Sequence, residues 1–271
     1  MIHVDLALAR RLELTQAATL VDYVETAARL YPGLGCRHLP LRGGAYAIYA
    51  GPESPISRAT GLGLDGPVTQ EDLEQVEDFF GEIGDRAQVD LCPLAHSSLV
   101  DVLGQRGYRV RWCLNVHFRE VRGEADRHLG CDAGSAVTVE SAEACEIDVW
   151  ARTVSDGFEG VDRPALVHPA IAFVTGRKPG VVRFLAYMGT EPAGAAALDM
   201  RDGLAIFCST STRVQFRGMG VHTALLRARL RAAAEAGCDL AMVLTSPGAP
   251  SERNVERAGF RTAYTIMRMV R

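Results

Sequence analysis

The residues best placed to do chemistry lie between Gln215 and Leu226, Gln-Phe-Arg-Gly-Met-Gly-Val-His-Thr-Ala-Leu-Leu. An apolar run, Leu204 to Cys208, and a hydroxyl-rich tail, Ser209 to Thr212, precede them. An alanine- and leucine-rich amphipathic stretch follows, to about Ala236. Strand, glycine loop and helix N-terminus in that order make an anion cradle. Gly218 and Gly220 let the backbone approach a ligand, and first-turn N–H groups at the positive end of the helix dipole have no internal partner. A pyrophosphate is the natural guest. The spacing Gln215-x-x-Gly218-x-Gly220 differs from the dinucleotide fingerprint Gly-x-Gly-x-x-Gly, and no Gly-Lys-Ser/Thr follows to make a Walker loop.

The elements around the cradle follow from periodicity and turn signals. Upstream, Ala136 to Glu140 reads as a strand, and Ser141 as the cap of a helix to about Asp156. An irregular segment from Gly157 to Pro164 precedes a helix from His168 to about Thr175. Val181 to Met188, Pro192 to Met200 and Leu204 to Ser211 are strands joined by the tight turns Gly189-Thr190 and Asp202-Gly203. Downstream, Leu240 to Thr245 is a strand, Ser251 to Ala258 a helix, and Arg261 to Tyr264 and Ile266 to Val270 two final strand pieces.

The first half reads as a long helix, Leu6 to Leu30, ended by Tyr31-Pro32-Gly33. Strands at Ala45 to Tyr49 and Ile56 to Leu62 and an acidic helix from the Thr69 cap through Phe80 follow. Then come a buried strand, Ala87 to Cys92, a helix, Ser97 to Gln105, and a strand, Arg109 to Arg119. Leu103-Gly-Gln-Arg-Gly-Tyr-Arg109 parallels Val255-Glu-Arg-Ala-Gly-Phe-Arg261. Each ends a helix on a glycine suited to a left-handed cap and enters a strand through an aromatic. Gly107 follows Val89, and Gly259 follows Ala241, by the same eighteen residues, which suggests duplication at the scale of a domain. Residues 123–135, charged and glycine-rich, read as a linker. It divides the chain into domains 1–122 and 136–271.

With 271 residues, 48% of them hydrophobic, the chain can bury a sizeable core, and a net charge of -4 makes no electrostatic case for nucleic acid. The positive charge is carried by arginine, Lys178 being the one lysine. No run is long enough to span a membrane and no signal peptide is evident. Seven scattered cysteines without a Cys-x-x-Cys pair argue for reduced thiols in a cytoplasm and against a metal site.

The cradle pattern, the order of elements in the second half and the helix–Gly-Phe–strand ending together resemble the GNAT acetyltransferases. The resemblance covers residues 135–271 through these motifs and the first half through the repeated Gly-Tyr feature alone. It implies an α/β (α+β) fold of two tandem domains, each a mixed, mostly antiparallel sheet flanked by helices, the first a degenerate copy. It implies an acyl-CoA-dependent N-acyltransferase that moves acetyl from acetyl-CoA directly to a primary amine, a small molecule or peptide, with CoA as co-product, no metal, no nucleic acid or membrane partner, and a homodimer left open. Residues carried over for the cofactor are Cys208, Ser209, Thr210, Gln215, Phe216, Arg217, Gly218, Met219, Gly220 and Val221, with Ser251 and Asn254 nearby; Arg213 is a further donor. The acceptor would face the loop bearing Asp156, Phe158, Glu159 and Asp162, with His168 behind it.

Acyl transfer to an amine also needs a base for the amine and an acid for the thiolate. Glu159 is the candidate base; Asp156 and Asp162 serve equally well as helix caps. Where the family carries a tyrosine acid this chain has Val255. Tyr264, Tyr187, Cys208, Ser209 and Thr210 stand as alternatives, and the sequence does not choose among them. A buried structural role is the competing reading of Cys208. A non-catalytic acyl-CoA-binding sensor or assembly module that has lost its acid is the rival reading, and Val255 favours it.

Overall fold

The computed structural model describes residues 2–129, 136–158 and 169–271. Its helices and strands, in chain order, are α1 (Leu6–Leu30), β1 (Arg37–Pro40), β2 (Tyr46–Tyr49), β3 (Arg58–Thr60), α2 (Gln70–Gly81), β4 (Gln88–Leu91), α3 (Ser98–Gln105), β5 (Arg109–Glu120), α4 (Gly123–Arg127), β6 (Val137–Ser141), α5 (Ile147–Gly157), α6 (Pro169–Arg177), β7 (Val182–Met188), β8 (Glu191–Arg201), β9 (Leu204–Thr212), α7 (Val221–Glu235), β10 (Leu240–Thr245), α8 (Pro250–Arg257) and β11 (Arg261–Val270). Among the described residues no helix is long and apolar enough to cross a membrane.

The chain divides into two units. Unit 1 holds residues 1–116 together with 245–247 and 262–271; unit 2 holds 117–244 and 248–261. The division departs from the one expected from composition in two places. The last strand, assigned above to the second domain, belongs to unit 1: β11 lies antiparallel to β4 from Met267–Leu91 to Val270–Gln88. It is also one continuous strand rather than two pieces. The second departure is the start of the linker. Gly123–Arg127 is a helix of unit 2, because Asp126 is buried and accepts hydrogen bonds from Arg119 Nη2 and the Arg122 amide, both at 2.6 Å. Residues 130–135 lie outside the described ones.

Within unit 1 the strand order is β1-β2-β3-β4-β11-β5, β5 belonging to this unit through residue 116. The β1–β2 and β2–β3 pairs are antiparallel, and β3 meets β4 in parallel at Ala59–Val89. The core joins Ala47, Ala59, Leu73, Val76, Phe80, Val89, Leu99 and Leu103. The capping box of Thr69 and Asp72 starts α2 as its sequence requires.

Within unit 2 the order is β10-β9-β8-β7-β6, antiparallel except for the parallel β9–β10 pair. Period-two alternation gives each central strand two buried faces. Phe207, Leu198 and Ala196 join a core with Leu225, Leu226 and Ala233 of α7. Ala195, Ala197 and Leu185 join a second core with Trp150, Ala151 and Val154 of α5. Trp150 donates its ring N–H to Ala196 O at 3.1 Å, so the largest buried side chain leaves no polar atom unmet. Ser141 ends β6 instead of capping a helix. A 3₁₀ turn closed by the reciprocal pair Glu143 and Glu146 leads into α5.

The repeat read from the sequence has a counterpart in each unit. Val89 and Ala241 both sit in a strand that lies parallel to the strand before it, paired with Ala59 and Ala205. Gly107 (φ +77°) and Gly259 (φ +85°) are left-handed. Each is followed by an amide bonded back five residues, Tyr108 to Leu103 O at 3.0 Å and Phe260 to Val255 O at 3.1 Å.

Candidate functional site

The cradle forms where β9 leaves its neighbours. Along β8 the register slips: Ala195 faces Ser211 but Ala197 faces Cys208. β9 therefore carries one extra residue, a bulge, and Ser209 absorbs it at φ +48°. On the opposite edge the ladder to β10 runs only from Leu204 to Phe207, although β9 continues to Thr212 and β10 to Thr245. The two strands part beyond Phe207 and open a gap beside the backbone of Cys208, Ser209 and Thr210. The bulge turns Thr210 towards α7, where its hydroxyl meets Arg229, and Ser211 towards α5, where its hydroxyl donates to Thr153 O at 3.2 Å.

A 3₁₀ turn, Val214–Phe216, carries the chain from β9 into the cradle loop. Gly218 (φ +78°) and Gly220 (φ +84°) are both left-handed, and Gly220 is the N-cap of α7. A Cβ at either position would touch nothing within 4 Å, so backbone conformation rather than crowding demands glycine there. No side chain caps the helix. Its first-turn amides point past the glycines with the dipole's positive end behind them. Met219 is exposed at the loop tip, and Phe216 packs on the α7 core.

The two arginines of this segment act as struts. Arg217 Nη2 donates to Gly157 O at 3.0 Å and its Nε to Thr212 O at 3.3 Å. Arg213 donates to Pro192 O at 3.0 Å, pairs with Glu191 at 3.1 Å, and lies 3.7 Å from Asp156. Gln215 also reaches Glu191, at 3.4 Å. These bonds tie the C-terminal end of α5 to the cradle. Gly157 approaches so closely that a Cβ there would sit 2.3 Å from Ser211 Oγ. Asp156 and Phe158, read above as acceptor-loop residues, are thus beside the cradle. Phe158, Phe173, Tyr187 and Cys208 pack along the edge of the α5 core. Glu159, Asp162 and His168 lie outside the described residues.

The residues proposed as acids separate. Tyr264 belongs to unit 1, where its hydroxyl donates to Glu13 at 2.9 Å; burial and the Glu13 carboxylate push its pKa well up. It does not belong to the unit that carries the cradle. Cys208 is held as a thiol: burial, aided by Asp199, pushes it up to about 11. Tyr187 is raised by burial and by Glu146 and Glu140. Val255 is a core residue, 1% exposed. Ser251 and Asn254 are half-buried on α8, whose first turn is closed by Glu252 accepting from the Gly248 amide at 2.6 Å.

Three polar side chains near the start of α7 and the end of β9 were given no role from the sequence, Thr212, His222 and Arg229, and Thr210, read as a cofactor residue, joins them through its bond to Arg229. Thr212 Oγ1 and His222 Nδ1 are buried without a hydrogen-bond partner. Burial, then the nearby Arg229, push His222 down to about 4, so it is neutral at pH 7. Buried polar atoms normally find partners; among the described residues these are two of eight such side-chain atoms left without one. The available sequence signal was Arg229 itself, a cation on the apolar stripe of Leu225, Leu226 and Ala233.

No family model and no curated protein matches the sequence of this chain. Solved structures match its fold. A GCN5-related N-acetyltransferase from Kribbella flavida is 19% identical over 91% of this chain and 94% of that one, with a TM-score of 0.63. The tandem GNAT protein from the clavulanic acid biosynthesis pathway is 12% identical over 82% and 72%, with a TM-score of 0.55. A GCN5-related N-acetyltransferase from Sphaerobacter thermophilus is 16% identical over 69% and 59%, with a TM-score of 0.51. Identity at this level speaks for architecture, and the architecture it gives this chain is the GNAT fold.

Proposed function

We propose that unit 2 binds acetyl-CoA and transfers its acetyl group directly to a primary amine. The observation that carries this reading is the parting of β9 from β10 at the Ser209 bulge, directly before an uncapped helix N-terminus. The site fits the cofactor's chemistry. Amides of Gly218 to Val221 suit a pyrophosphate, and the orphaned Thr212 and His222 atoms suit the polar groups of a pantetheine arm. Backbone donors freed at Cys208 to Thr210 suit a thioester oxygen. Arg213 and Arg217 hold the loop's shape more than they reach for phosphate, since both are bonded within the protein.

Acetyl-CoA supplies an activated acyl carbon. The amine's lone pair forms the C–N bond, the C–S bond breaks with its electron pair on sulfur, and the amine's surplus proton passes to water or to a base on the acceptor loop. Asp156 lies 3.7 Å from Arg213; Glu159 is our base candidate on that loop, which also bears Asp162. We place the chain's partners as amines of small molecules or peptides. The sensor reading keeps one observation in its favour, the buried Val255 in place of a proton donor.

Calorimetric titration with acetyl-CoA, then thiol release with a panel of amines, separates the readings. Binding with amine-dependent release is the expected result. Binding without release across primary amines would favour the sensor, and no binding would overturn the cradle.

A further inference from the structure

Arg229 differs from the other buried cations of this protein. Arg58 and Arg268 both pair with Asp90, Arg119 with Asp126 and Lys178 with Asp199. Arg229 is 1% exposed, yet among the described residues it pairs with no carboxylate. Its partners are all neutral. Nε donates to Leu225 O at 3.1 Å, Nη1 to Thr210 Oγ1 at 2.7 Å and to Ala197 O at 3.5 Å, and the guanidinium lies 4.5 Å from the centre of the Phe207 ring. An isolated buried charge is among the most unfavourable things a core can hold. Departures of this kind concentrate at functional sites.

The position of the charge says which group. Thr210 is in the β9 bulge and Ala197 on β8 is paired at its edge, so Arg229 lies against the bulge, at the level where the β9–β10 ladder has ended with Phe207. The Thr210 hydroxyl accepts from Arg229 and is 3.4 Å from Cys208 O, to which it donates, linking the charge to the backbone of the bulge. We propose that Arg229 is the counter-charge for the CoA thiolate, acting from beneath the bulge as a positioning residue. The inference rests on the acyl-CoA reading of unit 2. It resolves the missing acid: the C–S bond breaks with its electron pair on sulfur, the sulfur leaves as thiolate opposite Arg229, and it takes a proton from water after release.

The titratable and charged groups around this point are few. His222 shares the face of α7 and is neutral; Cys208 on β9 is a protonated thiol; Asp199 on β8 is matched by Lys178. Burial pushes Arg229 itself down to about 9, which leaves it a cation at pH 7.

The test needs no acceptor. The full chain is titrated with CoA and with S-methyl-CoA, which cannot ionise, from about pH 6 to about pH 9, and the bound thiolate is followed by its ultraviolet band. The expected result is a preference for CoA that grows with pH, with the bound thiol ionising at least ~1 unit below free CoA, a tenfold effect. Arg229→Met should abolish that shift, leave S-methyl-CoA affinity within about twofold, and unfold at a temperature no lower than the wild type, because it removes an unpaired buried charge. Arg229→Lys should retain part of the shift. A purely structural arginine would show the reverse: lower thermal stability in Arg229→Met and no change in thiol ionisation. If the wild type binds both probes with a pH-independent ratio, the inference is overturned, whatever the variants do. If the wild type binds neither probe, the acyl-CoA reading falls first and takes this inference with it.

Discussion

Gly220→Glu, compared with Gly220→Ala, tests the cradle most directly. Gly220 caps α7 at φ +84°, and a Cβ there points into open space. Alanine therefore meets one penalty, the left-handed backbone, roughly 1–2 kcal/mol for an L-residue. That strain is present with and without ligand, so it should lower the unfolding temperature while barely moving affinity. Glutamate adds the same strain and a negative charge. A carboxylate about 5 Å from a phosphate, at an effective dielectric of about 20, is repelled by roughly 3 kcal/mol. That repulsion alone weakens binding by about a hundredfold, since each ~1.4 kcal/mol is a factor of ten. The assay is calorimetric titration of wild type, Ala and Glu variants with CoA, alongside thermal unfolding of each. Equal stability losses with unequal affinities are expected, and salt should narrow the gap between the two variants. If the Glu variant binds CoA as tightly as the Ala variant, no phosphate sits at this helix and the cradle assignment fails.

Gly194→Ala should act on the same helix from beneath, because its Cβ would lie 2.6 Å from Val221 Cγ1 and 2.7 Å from Ser211 O. A loss of about 1–3 kcal/mol in denaturant unfolding, with weaker CoA binding, is expected from such overpacking. Glu13 is raised from 4.5 to about 7 by burial, with Asp90 adding to it. Folded protein then holds a proton that the unfolded chain has shed, so stability falls as pH climbs from 4.5 through 7. Glu13→Gln should remove that loss, gaining about 3 kcal/mol near pH 8 and almost nothing below 4.5, as read from urea melts across pH. His222 runs the other way. Depressed from 6.5 to about 4, it withdraws stability as pH falls through that window, and His222→Gln should flatten the acid limb of the same melts.

The local signals in the sequence were strong where a residue's own chemistry sets the backbone. Gly107 and Gly259 take the left-handed conformation their contexts called for, and Gly218 and Gly220, read as permissive cradle positions, take it too. The long first helix and the strand Leu240–Thr245 run as their periodicity requires. What escaped depends on partners distant in the chain. Residues 123–127 look like a linker by composition until Arg119 is placed beside Asp126. Ser209 carries no mark of a bulge, since a run of hydroxyl residues reads as a polar strand end. β1 escaped because Arg37-His-Leu-Pro40 has no alternating pattern and is a strand only by its pairing with Tyr46–Tyr49. Arg229 was one charged letter in an apolar stripe, and only its burial without a carboxylate gives it meaning.

The membership of β11 in unit 1 bears on how this chain can be made and divided. Asp90 is buried against Arg58 and Arg268, and Arg268 is carried by β11. While the chain is being synthesised, the first unit must wait with one flank of β4 bare and one of the two arginines of its central charge cluster missing until residues 262–271 have emerged. A cut after Val116 should consequently yield a fragment that aggregates through that open edge. A synthetic peptide spanning residues 262–271 should rescue it, the missing strand returning as a ligand.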